Sequence, residues 1–143
     1  MSDKNKEEVK KKEEVKKKGG APQVPQDQLP ALLQGLEGAP SPDQIEQWKA
    51  EFGEVFVSGF SETELFVWRP LMRGEFVQIQ ATAAEQKMDQ FQLEEYVCGI
   101  CALWPETNWG SVKAGSASTV HEQIMQNSNF MAPQAAAFLV AKL

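Results

Sequence analysis

Two cysteines three residues apart form the motif Cys98-Gly99-Ile100-Cys101, the first place to look for reaction chemistry. A CxxC pair acts as a redox centre when its first thiol lies at a helix N-terminus, where the helix dipole makes that thiol more acidic. Here the motif lies in the second half of a strongly patterned helical segment, where the dipole opposes thiolate formation. We therefore expect buried, inert thiols. A small thiol-redox protein using Cys98 and Cys101 is the alternative hypothesis.

The other reactive residue types lack the partners that a catalytic or metal site requires. His121 is the only histidine, so a closed zinc site would need carboxylates to complete its four ligands. The glycine-spaced loop Gly110–Gly115 is followed by Ser116-Ala117, where a phosphate-binding loop needs Lys and then Ser or Thr. The pair Glu94-Glu95 is expected to lie on a solvated face. The sequence predicts no enzyme activity, no cofactor and no metal.

Charge is distributed unevenly along the 143-residue chain, whose formal net charge is −6. Residues 1–18 hold eight lysines and five acids, a local charge of +3, whereas residues 19–143 hold six basic and fifteen acidic residues, a local charge of −9. An acidic body repels nucleic acids and anionic membranes. The longest apolar run, Ala135–Ala141, is too short to span a bilayer. We expect no nucleic-acid partner, no membrane association and a cytoplasmic location.

Aromatic residues indicate which part of the chain folds. All thirteen lie between Trp48 and Phe138. Residues 1–40 begin with a Lys/Glu repeat and continue into a Pro- and Gln-rich stretch, a composition typical of solvated tails and linkers. We expect residues 1–40 to be a disordered tail and linker outside the cooperative fold, and residues 41–143 to form a single domain.

Capping signals and periodicity predict a mostly helical domain with one β-hairpin. A helix begins at Ser41-Pro42-Asp43-Gln44 and ends at Gly53. Residues 54–57 and 63–69 are β-rich runs joined by a glycine-containing turn, which is typical of a hairpin. The class is therefore α+β.

Four further helices are predicted after the hairpin. Pro70 opens the first, and a capping box at Asp89 and Gln92 starts the second, which runs from about Gln90 to Trp104. The box Thr119-x-x-Glu122 starts the third helix. Pro133 opens the last one, an Ala-rich helix that extends through Phe138 and Leu139.

With no catalytic set, the candidate functional residues are those suited to protein contact. Arg69 and Arg73 can bind a partner's carboxylates through paired hydrogen bonds, and pairing within the chain to Glu64 or Glu75 is equally open. Surface tryptophans anchor interfaces, which makes the loop from Trp104 to Trp109 a second candidate. The residues that we assign to partner binding are Trp68, Arg69, Arg73, Glu75, Trp104 and Trp109.

The segment Phe66-Val67-Trp68-Arg69-Pro70-Leu71-Met72-Arg73-Gly74-Glu75-Phe76 resembles small tail proteins of contractile-tailed bacteriophages. In those proteins a helix and a short hairpin lead into an aromatic-Arg-Pro-Leu-x-Arg-x-Glu-aromatic segment. Later pieces match in order, namely Leu103-Trp104-Pro105, Ala114-Gly115 and His121-Glu122-Gln123-Ile124. The resemblance covers about residues 42–130.

The resemblance implies a non-enzymatic role in phage tail or baseplate morphogenesis, as an assembly chaperone or as a minor structural subunit. The implied partners are other tail or baseplate proteins, with self-association open. The implied location is the host cytoplasm, or the virion tail for a subunit. Trp68, Arg69, Pro70, Arg73 and Glu75 match the motif and are expected to be its structural signature. An acidic host-directed inhibitor that mimics nucleic acid is a further hypothesis.

Overall fold

The computed structural model describes residues 24–143, and these residues form the expected α+β fold, with helices and a three-stranded antiparallel sheet. The elements in chain order are a 3-10 turn (Gln26–Gln28), α1 (Leu29–Gln34), α2 (Pro42–Phe52), β1 (Phe56–Gly59), β2 (Leu65–Trp68), α3 (Arg73–Glu85), α4 (Gln90–Cys101), β3 (Ala102–Trp104), α5 (Ser116–Asn127) and α6 (Pro133–Ala136), which continues as a 3-10 turn to Leu139.

Local capping signals place the ends of α2 and the start of α4 where the sequence predicts them. The Ser41 hydroxyl accepts a hydrogen bond from the Gln44 N–H at 3.1 Å. Gly53 ends α2 with a φ of 88°, a conformation that glycine adopts without strain. Asp89 and Gln92 exchange side-chain to backbone hydrogen bonds, which completes the predicted capping box. These ends depend on contacts three or four residues apart, which makes them predictable from sequence.

The predicted hairpin is confirmed, although its first strand is Phe56–Gly59 rather than residues 54–57, and a third strand extends it. β1 pairs with β2 in antiparallel register, and β2 lies between β1 and β3. The prediction that α4 continues to Trp104 is wrong, because the helix ends at Cys101 and the next three residues pair with β2. The Arg69 N–H donates to the Cys101 carbonyl at 3.0 Å. Pairing with β2 thus overrides the helical periodicity of the local sequence.

Two other helix starts differ from the prediction. α5 begins at Ser116 rather than Thr119, because the Thr119 N–H already donates to the Gly115 carbonyl at 3.0 Å within the first turn. This early turn buries Ser116, and α5 packs extensively against α4. α3 begins at Arg73, three residues after Pro70, with Met72 at the N-cap position.

Strand β2 separates two apolar clusters because its side chains alternate between the faces of the sheet. Phe66 and Trp68 lie in the larger cluster with the inward sides of α3, α4 and α5. Leu65 and Val67 lie in the smaller cluster on the opposite face. All four residues of β2 are buried, so this strand is the centre of the fold.

The prediction that residues 1–40 lie outside the fold is wrong for residues 24–40. Val24, Leu29 and Leu33 are buried in the smaller cluster, where they cover Leu65 and Val67. The physical reason is that one turn and a half of helix with aliphatic side chains is enough to cover a two-residue apolar face, without any aromatic residue. The Lys/Glu repeat of the predicted tail lies outside the described residues.

Candidate functional site

Arg69 lies inside the fold rather than on a surface that faces a partner. Its side chain is 9% exposed, and its two terminal nitrogens donate to the two carboxylate oxygens of Glu75 at 2.5 and 2.8 Å. Its guanidinium carbon lies 4.7 Å from the ring centroid of Phe52 on α2. The pair therefore joins the end of the hairpin to the first turn of α3 and to α2. The sequence leaves open whether Arg69 binds a partner's carboxylate or one within the chain. In the structure it binds Glu75 of the same chain.

The electrostatics of this pair favour the charged form of both partners. The hydrogen bond from Arg69 lowers the pKa of Glu75, and the Met72 N–H, which donates to the same carboxylate at 3.1 Å, lowers it further, whereas burial opposes both effects. The same Arg69–Glu75 hydrogen bond raises the pKa of Arg69. The Nε of Arg69 is buried and has no hydrogen-bond partner within residues 24–143. The Glu75 carboxylate is thus already bound by Arg69 and by the Met72 N–H.

Two of the three predicted anchor tryptophans are buried, and all three have partners within the chain. Trp68 is 2% exposed, and its indole N–H donates to the Ser58 hydroxyl at 2.7 Å. Trp109 is 6% exposed and packs in the larger cluster. Trp104 is partly buried, and its indole N–H donates to the Gly38 carbonyl at 2.9 Å. Trp104 and Trp109 therefore fix the loop after β3 to the rest of the fold.

Arg73 is the one predicted partner-binding residue that is exposed. It stands at the start of α3, with its guanidinium carbon 5.6 Å from the ring centroid of Phe76. Next to it is a groove of about 190 Å³ between α3 and the end of α5, which we call the α3–α5 groove. Its rim is apolar and accessible, because Met72 is 58% exposed and Phe130 is 37% exposed.

A further apolar surface follows directly in the chain. Every residue from Asn129 to Leu143 is exposed, and we call residues 132–143 the C-terminal segment. The predicted final helix is present as α6 and its 3-10 continuation to Leu139. Its large side chains face solvent, with Phe138 90%, Leu139 70% and Val140 77% exposed. The apolar run Ala135–Ala141 was the available signal, and sequence reasoning used it only to exclude a membrane span.

The cysteines are buried in the larger cluster, as predicted. Both are free and 0% exposed, and burial raises the pKa of each thiol to about 12. The Cys98 thiol donates to the Ala117 carbonyl at 3.3 Å, which ties α4 to α5. His121 is half-buried, and burial lowers its pKa. The two thiols thus lack the exposure and the acidity that reactive thiols show.

Glu94 corrects the prediction that its carboxylate is solvated. It is 8% exposed, and its Oε2 accepts a hydrogen bond from the Ser118 hydroxyl at 2.6 Å. The reason is the close packing of α4 on α5, which a helical wheel of α4 alone does not reveal. Glu64, one of the two carboxylates predicted as a partner for Arg69 or Arg73, instead pairs with Lys113 at 2.8 Å.

Comparison of the chain with protein-family models, with curated proteins and with solved structures gave no match. Within residues 24–143, no cluster of three or more His, Cys, Asp or Glu side chains is placed to hold a metal ion. In that same part of the chain, no helix is both long and apolar enough to cross a membrane. The fold and the exposed C-terminal segment are therefore the observations on which a functional proposal rests.

Proposed function

We propose that this chain is a non-enzymatic morphogenesis protein of a contractile-tailed bacteriophage, which acts on the tail or baseplate through protein contacts. It works as an assembly chaperone in the host cytoplasm or as a minor subunit of the virion tail. The observation that carries the contact role is the exposed C-terminal segment. The phage assignment is supported by the resemblance of residues 66–76 to small tail proteins, described above.

The size of the exposed apolar surface supports a binding role. Phe138, Leu139 and Val140 together present on the order of 400 Å² of side-chain surface, which is as much as the largest apolar patch of a typical monomer. At ~25 cal/mol per Å², covering it contributes about 10 kcal/mol before the cost of ordering is subtracted. This surface is about half of the ~800 Å² that each partner buries in a standard stable interface, so it contributes to a contact that other parts of the chain complete.

The spacing of the segment suggests how it docks. Ala136, Leu139, Val140 and Leu143 recur at i, i+3, i+4 and i+7, which is one face of a helix. The structure is helical up to Leu139 and extended at Val140. The proposed partner therefore offers an apolar groove into which this face fits, and docking extends the helix by one turn.

The thiol-redox hypothesis has no supporting observation in the structure. Thiols with a pKa of about 12 hold almost no thiolate at neutral pH, and neither Cys98 nor Cys101 is accessible. The acidic-inhibitor hypothesis requires free carboxylates on one contiguous face, and the acids Glu46, Glu64, Glu75 and Glu94 bind other side chains within residues 24–143. The contact role is thus the better supported proposal.

Affinity purification from cells infected by the encoding phage tests this proposal. Tagged wild-type protein should retain tail or baseplate proteins, and Leu139→Asp should release them. Val77→Asp is the matched control, since Val77 is 54% exposed on α3, far along the chain from the segment. Both variants should keep the wild-type circular dichroism. The proposal is wrong if wild-type protein retains no tail or baseplate component.

Mass spectrometry of purified virions then separates the two forms of the role. A chaperone is present in the infected-cell lysate and absent from the particle, whereas a subunit is present in the particle at a fixed copy number. Retention of tail proteins by Leu139→Asp would instead place the contact elsewhere, with the α3–α5 groove as the next surface to mutate.

A further inference from the structure

The α3–α5 groove is formed before any partner binds, because hydrogen bonds fix both of its walls. The Leu71 N–H, just before α3, donates to the Ser128 hydroxyl at 2.8 Å, and that hydroxyl donates to the Ile124 carbonyl at 2.6 Å. On the other side, the Phe130 N–H donates to the Met125 carbonyl at 3.1 Å. Preformed apolar clefts of this kind are the usual form of a binding site.

The size and lining of the groove suit one aromatic side chain. Its volume is about 190 Å³, and a cavity of ~150 Å³ is enough to hold a benzene ring. Asn129, with a φ of 68°, turns the chain after α5, and the Phe130 ring packs against Phe76 with 4.9 Å between their centroids. Met72 adds an exposed thioether, a flexible group that adapts to the shape of an apolar ligand.

The groove and the C-terminal segment lack acidic residues, although the chain as a whole is acidic. The groove lining contains one charged residue, Arg73, and no carboxylate. Glu75, in the same turn of α3, is bound by Arg69. Residues 123–143 contain no acid and one base, Lys142. Two copies of this chain therefore repel each other least where these surfaces meet.

The C-terminal segment starts beside the groove and leads away from it. Phe130 belongs to the groove lining, and the segment begins two residues later. α6 then leads to Phe138, which is 90% exposed, so that a single copy leaves both its groove and its segment uncovered. Because each segment starts at the rim of a groove, a two-fold axis beside the groove lets the segment of each copy reach the groove of the other.

The exposed area favours a reciprocal contact over a one-way contact. Phe138, Leu139 and Val140 present on the order of 400 Å², and the surface that receives them loses a comparable area. In a two-fold arrangement each copy both gives a segment and receives one, so each buries about 800 Å². That area is what each partner buries in a standard stable interface, whereas a one-way contact reaches about half of it.

We propose that two copies of this chain exchange their C-terminal segments, with Phe138 of each copy in the α3–α5 groove of the other. This segment exchange covers the apolar surface of the segment while no tail partner is bound. The inference uses the segment that carries the proposed function, but it concerns the protein alone and does not depend on the phage assignment.

Sedimentation velocity of the full-length protein over a range of concentrations tests the exchange. We expect wild-type protein to form a dimer that dissociates on dilution. Phe138→Asp alters the segment and Met72→Asp alters the groove, and each should raise the dimer dissociation constant about a hundredfold or more, because the two-fold axis repeats the loss. Wild-type protein that stays monomeric up to ~100 μM would overturn the proposal.

A matched control shows whether the loss is specific to these two surfaces. Phe91 is 71% exposed on α4, outside both the groove and the segment, so Phe91→Asp should remain as dimeric as wild-type protein. All three variants should keep the wild-type circular dichroism, since each replaces an exposed side chain and aspartate is a favourable N-cap residue at position 72. Equal loss of the dimer in Phe91→Asp would contradict the exchange.

Mixing the two variants tests whether segment and groove bind each other. Phe138→Asp keeps an intact groove and Met72→Asp keeps an intact segment, so the mixture restores one of the two contacts. We expect more heterodimer in the mixture than dimer in either variant alone, and less than in wild-type protein. A Met72→Asp variant as dimeric as wild-type protein would show that the contact does not use the groove, and it would overturn the proposal.

The outcomes distinguish this inference from the proposed function. A wild-type monomer that still retains tail proteins would overturn the exchange alone, and a wild-type dimer that retains none would overturn the proposed function alone. A wild-type monomer that becomes less compact in Phe138→Asp would show that the segment covers the groove of its own chain, which also overturns the exchange.

Discussion

Replacing Arg69 with alanine tests whether the segment from Trp68 to Glu75 holds the fold together. The guanidinium makes two hydrogen bonds to the Glu75 carboxylate and one to the Pro70 carbonyl at 3.2 Å, and it covers the ring of Phe52. We expect the variant to be destabilised in isolation, before any partner is present.

The expected magnitude follows from the burial of the two partners. Removing one member of a buried ion pair costs ~3–5 kcal/mol, because the other charge stays buried without compensation. Arg69 is 9% exposed, but Glu75 is 34% exposed, so water rehydrates the abandoned carboxylate in part. We therefore expect a loss of about 2–4 kcal/mol in the free energy of unfolding.

Urea denaturation followed by circular dichroism measures this loss. With a slope of ~2 kcal/mol per molar urea, the midpoint of the Arg69→Ala variant should fall by about 1–2 M. Arg73→Ala is the matched control, because Arg73 is exposed and makes no ion pair within residues 24–143. Equal stability of the two variants, within ~0.5 kcal/mol, would refute the structural role of Arg69.

The pH dependence of stability provides an independent reading of the same pair. The pKa of Glu75 is lower in the folded state than its ordinary value of 4.5. The stabilisation from this carboxylate is therefore complete above pH 4.5 and is lost as the pH falls through the folded-state pKa. Glu75→Gln should remove this acid-dependent part of the stability curve. An unchanged slope below pH 4.5 would contradict the pairing.

Two other predictions concern buried residues. Cys98 and Cys101 should not react with a disulfide reagent at pH 8 in the native protein, because neither is exposed and each has a pKa of about 12. Both should react in urea. Reaction without urea would show that the thiols are accessible in the folded protein. Leu33→Ala should lower the free energy of unfolding, measured by urea denaturation, by ~2–5 kcal/mol, since Leu33 is 4% exposed. A loss below ~0.5 kcal/mol would show that residues 24–40 do not stabilise the fold.

Helix caps and the hairpin were predictable because each depends on residues close in the chain. Ser41 with Gln44, and Asp89 with Gln92, satisfy backbone groups three residues away, and no distant contact is needed. The burial of Cys98 and Cys101 was predictable for a similar reason, because the periodicity of one helix marks the face that is buried.

The candidate site was less predictable, since exposure depends on what the rest of the fold covers. Arg69 and Trp109 have the residue types that anchor interfaces, yet both are buried by elements distant in the chain. The sequence predicts a solvated Glu94, whereas the packing of α5 against α4 buries its carboxylate. Conversely, the apolar C-terminal segment has the composition of a core element and faces solvent.

The amino-acid sequence by itself determined the N-terminal caps of α2 and α4, the presence of the hairpin, the burial of Cys98 and Cys101 and the acidic character of residues 19–143. These follow from covalent proximity and composition. Only the tertiary structure decided that Ala102–Trp104 is a strand, that residues 24–40 cover the sheet and that Glu64 pairs with Lys113. The physical reason is that backbone pairing, burial and ion pairing between distant segments depend on which surfaces meet, and local free energies of a few tenths of a kcal/mol per residue are too small to decide it.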